Sequence, residues 1–335
     1  MRSSTTPRVR NSRDSAQTRV IEFRTSMNIY RALPALIVSA LIVWAAPLFS
    51  AAHSFSQSSG IPTESAARIV VTVSDKHENP PAPPAKESIK MRIGGKAAEV
   101  EEIRSLKDTP LIFSVLMDVS GLTRRVANQE SEATIALFRH LSLGNNHGYL
   151  VLFNSGVVTT DRFVDAQGAQ QILAKLPPES RTGMPRLFDA INHVVVQQLG
   201  FAKFRENPRR TIFVLSNGGD NASHESLDAT VKLAQREGVS IFSIALFHHP
   251  ILSAPTPEER QGWDNLSTLS RDTGGLATFL GEPVGDPVRI AHLVDGQCLV
   301  SFELPAAESG KLYPLKIESS DKEIVLLAPS RYFMP

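Results

Sequence analysis

Leu111-Ile112-Phe113-Ser114-Val115-Leu116-Met117-Asp118-Val119-Ser120-Gly121 is a nearly unbroken apolar run that stops at an acid, a hydroxyl and a glycine. Its length and composition suit a strand buried on both faces, as in a parallel sheet. Ligands of open α/β sheets sit just beyond the carboxyl ends of such strands. Asp118 and Ser120 therefore fall where a site belongs. Their D-x-S spacing puts both side chains on one side of an extended tip, so one cation can take an oxygen from each.

The alternation continues along the chain. Periodicity predicts helices over 125–141, 166–176 and 186–199, the last from Leu187, Ile191, Val194, Val195 and Leu199. Apolar strands are predicted at 148–153, 211–215, 240–247 and 276–280, with 157–163 folding back on 148–153 through Asn154-Ser155-Gly156. A helix capped by Ser223, with Ser226 as a rival cap, runs to Glu237 and ends at Gly238. Further helices are predicted over 261–272 and from Asp286 to Val294. This order implies a doubly wound, mostly parallel α/β sheet over residues 108–296. The flanks differ. Residues 67–107 hold two or three strands around the stiff Asn79-Pro80-Pro81-Ala82-Pro83-Pro84 loop, and residues 297–335 hold three β-like runs. The two flanks can pair into one small β module with the α/β domain inserted between them.

Residues 32–52 carry no charge and finish in Ser50-Ala51-Ala52, which predicts a signal peptide over 1–52, cleaved after Ala52, and a linker over 53–66. Met27, behind an Arg-rich extension, reads as the initiator. An uncleaved anchor is the alternative, since about 20 apolar residues span a bilayer. Either way the folded part is expected outside the cytoplasm: periplasmic, secreted, or tethered to the inner membrane. Residues 1–52 hold seven Arg and no Lys, and the remainder carries 28 basic against 32 acidic side chains. So mildly acidic a body argues against a nucleic-acid partner, because phosphate binding needs clustered Lys and Arg. Arg124-Arg125 and Arg209-Arg210 read as solvated surface pairs. Cys298, the single cysteine, reads as buried and excludes an internal disulfide. His140, His147, His193 and His224 show no metal-motif spacing. The adjacent His248-His249 read as loop residues, since strand neighbours face opposite ways. No G-x-S-x-G elbow or phosphate-binding glycine loop is present.

Leu215-Ser216-Asn217-Gly218-Gly219-Asp220-Asn221 repeats the pattern of a buried strand ending in a polar, glycine-rich loop. Arg181-Thr182-Gly183-Met184-Pro185-Arg186-Leu187-Phe188-Asp189-Ala190 is a loop entering a helix. With Asp118-Val119-Ser120-Gly121, these segments resemble the three loops of a von Willebrand factor type A (vWA) domain, where they build a metal-ion-dependent adhesion site. The order of segments over 67–335 resembles the secreted, Acidobacteria-type version, with Gln297-Cys298-Leu299-Val300-Ser301-Phe302 and Arg331-Tyr332-Phe333-Met334-Pro335 as its tail. The resemblance implies a non-enzymatic module that binds a protein or cell-surface ligand through the carboxyl edge of its sheet.

The site departs from the family. Asp118 and Ser120 match, but Leu122 stands in the last D-x-S-x-S position, Pro185 at the loop threonine and Asn217 at the second aspartate. Hard cations need several oxygen ligands. Binding of Mg²⁺ or Mn²⁺ is therefore expected to be weak or lost, and no other cofactor is expected. The candidate metal residues are Asp118, Ser120 and Asn217, with Thr182 and Asp220 as substitutes. The same five are the candidate partner-binding residues. The alternatives are an envelope hydrolase built on Asp118, Ser120 and His248, or a scaffold that binds through its β module.

Overall fold

Four strands open the folded chain: β1 (Ala67–Asp75), β2 (Ile89–Ile93), β3 (Lys96–Ala98) and β4 (Val100–Ser105). The computed structural model describes residues 67–77, 79–200, 209–247, 255–281 and 286–335. The expected signal peptide, Met27, the 53–66 linker and His248-His249 lie outside the described residues. Two or three strands were expected here. The additional ones arise because Gly94 and Gly95, with φ of 58° and 82°, turn β2 back onto the short β3.

The α/β domain follows as β5 (Leu111–Asp118), α1 (Ala127–Leu141), β6 (His147–Phe153), β7 (Val157–Thr159), α2 (Ala166–Leu173), α3 (Leu187–Val194), β8 (Arg209–Ser216), α4 (Leu227–Glu237), β9 (Ser240–Ala245), α5 (Pro257–Asp272), β10 (Ala277–Phe279) and α6 (Pro287–Asp295). The chain ends in β11 (Gln297–Phe302), β12 (Leu312–Ser319), β13 (Ile324–Leu327) and β14 (Arg331–Phe333).

The central sheet has the order β10-β9-β8-β5-β6-β7, parallel except for β7, which runs antiparallel to β6. Leu111, Phe113, Val115 and Met117 of β5 pack in one core with α1, α2 and α6. Ile112 and Leu116 pack in the other with α3, α4 and α5. Coverage of both faces is why the strand reads as a continuous apolar run. This is the doubly wound, mostly parallel α/β fold implied by the sequence. Its winding reverses between β5 and β8, the switch point where open sheets of this kind bind ligands. Among the described residues no helix is long and apolar enough to cross a membrane.

Local chemistry moves several boundaries. Ser226, not Ser223, caps α4, its hydroxyl accepting from Ala229 N at 3.2 Å. α5 starts four residues earlier than expected because Thr256 and Glu259 form a capping box behind Pro257. Arg209 and Arg210 are not a solvated pair. They are the first residues of β8, 2% and 5% exposed. Arg209 Nη1 donates to the carbonyl oxygens of Leu106 (3.1 Å), Lys107 (3.0 Å) and Thr109 (2.8 Å), and Nη2 to that of Val294 (3.3 Å). For Arg209, backbone carbonyls thus replace the water that it was expected to keep. Arg124 and Arg125 are exposed, as expected. Cys298 is buried, and burial pushes its thiol up to about 11.

The flanks pair with each other in two four-stranded sheets, β13-β1-β11-β4 and β14-β12-β2-β3. β11 lies between β1 and β4, and β12 lies against β2, so each sheet joins strands from both flanks. Ile69 and Val71, Met91 and Ile93, Val300 and Phe302 share one core between the sheets. Phe302 is fully buried and meets the Tyr332 ring edge-on at 5.2 Å. Phe302→Ala should therefore destabilise the protein by about 3–5 kcal/mol, read from the urea unfolding midpoint. A cost below about 1 kcal/mol would contradict a core shared by the two flanks.

Candidate functional site at the carboxyl edge

Three loops meet beyond β5 and β8: one after Asp118, one entering α3 and one after Ser216. Their backbones are tied together. Gly121 N donates to Gly183 O at 3.2 Å, and Asn221 N to Pro185 O at 3.1 Å. The third loop packs on α5, where Asn265 Nδ2 donates to Gly218 O at 2.9 Å. Gly218 has φ of +77°, and a Cβ there would lie 2.0 Å from the Gly262 carbonyl oxygen, so only glycine fits.

Asp118 and Ser120 are both fully buried. Asp118 Oδ1 accepts from Ser120 N at 2.9 Å, and Oδ2 from the Ser216 hydroxyl at 2.7 Å. The Ser120 hydroxyl accepts from Leu122 N at 3.3 Å, capping a 3₁₀ turn over Gly121–Val126. Asn217 folds back so that its Oδ1 accepts from Gly219 N at 3.0 Å. Asp220 Oδ1 accepts from Leu187 N at 2.8 Å and from the Ser223 hydroxyl at 2.6 Å, so this carboxylate holds the start of α3. Thr182 is exposed on the rim. Thr123, one place out of phase with the family serine, points inward and donates to Asp118 O at 2.5 Å. The structure thus gathers Asp118 and Ser120 in the interior, and Asn217 and Asp220 along the third loop, where each closes a turn or a helix end.

Beneath Asp118 lies a charge cluster that the sequence reading missed. Glu130 on α1 is fully buried and accepts from Asp118 N at 2.9 Å. Arg181, 1% exposed, forms a buried ion pair with Glu130. Its Nη1 also donates to Asp118 O at 2.8 Å and to Thr123 Oγ1 at 3.0 Å. Arg124 Nη2 donates to Arg181 O at 2.6 Å, fixing the second loop against the first. Burial raises the Asp118 carboxyl above its ordinary range, opposed by hydrogen bonds from Ser120 and Ser216 and by the Arg181 charge. Burial raises Glu130 further, again opposed by Arg181. Glu130 had a signal: it shares the helical face of Ala133, Thr134, Leu137 and Leu141, where an acid needs a partner. Arg181 and Ser216 had none.

Side-chain oxygens are scarce around Asp118 for a hard divalent ion. Each Asp118 oxygen already has a protein donor, the Asn217 carbonyl oxygen is turned into its own loop, and Leu122 and Pro185 bring no side-chain oxygen. The edge instead presents carbon. Leu122 and Met184 are 57% and 61% exposed, on the two loops joined through Gly121 and Gly183, and Leu122 leans over Gly219 of the third.

No protein-family model and no curated protein matches the chain. Solved structures similar to it include an aerotolerance-related membrane protein from Bacteroides fragilis, at 14% identity and a TM-score of 0.40, covering 55% of this chain and 98% of that one. A von Willebrand factor type A protein from Catenulispora acidiphila matches at 10% and 0.43, covering 81% and 75%. The manganese-loaded TRAP protein from Plasmodium vivax matches at 12% and 0.43, covering 71% and 100%.

Removing Arg181 tests the charge cluster. Asp118 and Glu130 both have folded-state pKa values raised above their unfolded values of about 4. Stability linked to such groups is fully present below the unfolded value and is lost as pH rises through the folded one. Arg181→Met takes away the opposing cation and raises both groups further. The variant should lose about 3–5 kcal/mol at neutral pH, and the deficit should narrow as pH falls toward 5, measured against the parent by urea unfolding. A deficit independent of pH would refute the electrostatic role.

Proposed function

We propose that the protein is an exported, non-enzymatic binding module of the secreted, Acidobacteria-type vWA kind, which recognises a protein or cell-surface ligand through its three loops without a metal ion. One observation carries the reading: an exposed apolar pair, Leu122 and Met184, caps an interior whose carboxylates are already satisfied by protein groups. Exposed apolar side chains gathered on adjoining loops give a partner apolar area to bury. In this reading Leu122, Met184 and Thr182 touch the partner. Asp118, Ser120, Asn217 and Asp220 hold the shape of the loops. The Ser120 hydroxyl is buried and caps a turn, which disfavours a nucleophilic role.

Two measurements test this reading. In protein first stripped of metal, millimolar Mg²⁺ should leave the thermal midpoint unchanged, because an ion that does not bind the native state cannot shift it. A metal-dependent rise that disappears in Asp118→Ala would overturn the metal-free reading. Labelled protein should bind its source cells saturably and without sensitivity to EDTA. The double variant Leu122→Glu/Met184→Glu should lower that affinity at least tenfold, the equivalent of about 1.4 kcal/mol. Unchanged binding by the double variant would remove the loop edge from recognition.

A further inference from the structure

We propose that His140, His292 and Asp295 form a second site, for a borderline divalent transition metal of which Zn²⁺ is the type, at the end of the α/β domain opposite the loops. His140 lies in the last turn of α1. His292 and Asp295 lie three residues apart at the end of α6, a spacing that puts both on one helix face. One ligand atom from each of the three residues lies within 4.8 Å of the others. The two imidazole rings have centroids 4.2 Å apart, and His292 Nδ1 is 3.7 Å from Asp295 Oδ2. Both helices run back from the loop edge. The chain leaves α1 toward His147 at the start of β6, which pairs with Ile112 at the start of β5.

The chemistry selects the metal class. Two imidazoles and one carboxylate suit Zn²⁺ and its borderline neighbours, whereas Mg²⁺ and Ca²⁺ prefer all-oxygen shells. The frame is already built. Leu137 and Leu141 of α1 pack with Ile290, Ala291 and Val294 of α6 in one core, so the ligands need only side-chain rotation to close on an ion. The second oxygen of Asp295, Oδ1, lies 3.9 Å from Arg209 Nη2, itself anchored on the Val294 carbonyl. A carboxylate held from behind in this way presents its other oxygen to the site. His140 is half-buried and His292 exposed, so a fourth position faces solvent and is open to water or to a donor from outside. A bound ion would staple α1 to α6, whose end passes through Gly296 directly into β11 of the β module.

The test uses the untagged protein and Zn²⁺ alone as the probe. Equilibrium dialysis with metal analysis should find one Zn²⁺ per chain at this site, with a rise in thermal midpoint reversed by EDTA. His292→Ala, at an exposed position, should weaken binding by about 100-fold or more, since even outer-shell changes cost up to about that factor. Its metal-free midpoint should match the parent's, which separates lost ligation from lost folding. Asp118→Asn and the double variant His248→Ala/His249→Ala should retain the ion. Absence of saturable Zn²⁺, survival of tight binding in His292→Ala, or its loss in the His248/His249 variant would each overturn the assignment.

Discussion

The loop edge depends on the guanidinium of Arg181. It neutralises Glu130, hydrogen-bonds the Asp118 carbonyl and braces Thr123, all where water is excluded. Two carboxylates so placed, without a cation, would cost several kcal/mol in desolvation. The positive charge comes from the second loop and the carboxylates from β5 and α1, so the pair sets where that loop lies. Arg124 then closes the arrangement through the Arg181 carbonyl. The buried Arg181–Glu130 pair thus forms an internal electrostatic knot beneath the exposed Leu122 and Met184.

A second arginine performs a comparable task at the other end of the sheet. The α/β domain is an insertion between two halves of a β sandwich, so the chain crosses between them twice, near residues 106–109 and 294–297. Arg209 donates to carbonyls of both crossings from its place at the start of β8. These irregular backbone segments carry acceptors that neither sheet can satisfy, and a forked donor meets several at once. Burial lowers the Arg209 pKa, and the charges of Asp295 and Asp108 oppose that shift. The arginine that holds the crossings also touches Asp295 of the histidine cluster, so junction and cluster share one support.

Most of the framework was legible in the sequence because it is written in periodicity. The uninterrupted apolar run of β5, the alternation in β2 and the 3.6-residue spacing of α3 each report burial directly. What escaped was charge and short structure. Arg209-Arg210 looked like surface because a basic pair usually is, and only the fold reveals the carbonyls waiting for it. β3 and β4 are rich in exposed Lys, Glu and Arg and carry little apolar signal. At the site, the three loops and the loss of oxygen at Leu122 and Pro185 could be read from residue identity. The Arg181–Glu130 pair lies 51 residues apart in sequence and joins a loop to a helix, so no local pattern could reveal it. Residue identity shows the oxygen that Leu122 lacks, but not that its side chain is exposed at the edge.

In the proposed metal-free reading, an edge closed by its own charges differs from one closed by an ion in how it can respond. Loops assembled around a cation can rearrange when the ion arrives or when a partner completes its shell. Here the loops are tied by Gly121–Gly183 and Asn221–Pro185 hydrogen bonds and by the buried Arg181, and none of these needs a ligand. In the proposed reading, recognition is therefore preorganised: the ordering of the loops is met during folding rather than at binding, which lowers the entropic penalty of association. The same argument limits the surface. A rim of Leu122, Met184 and Thr182 carries no charge of its own, and the exposed cations beside it are Arg124 and Arg125 of the first loop. In the proposed reading selectivity comes from shape, from those charges and from which polar groups a wrong partner would leave unpaired.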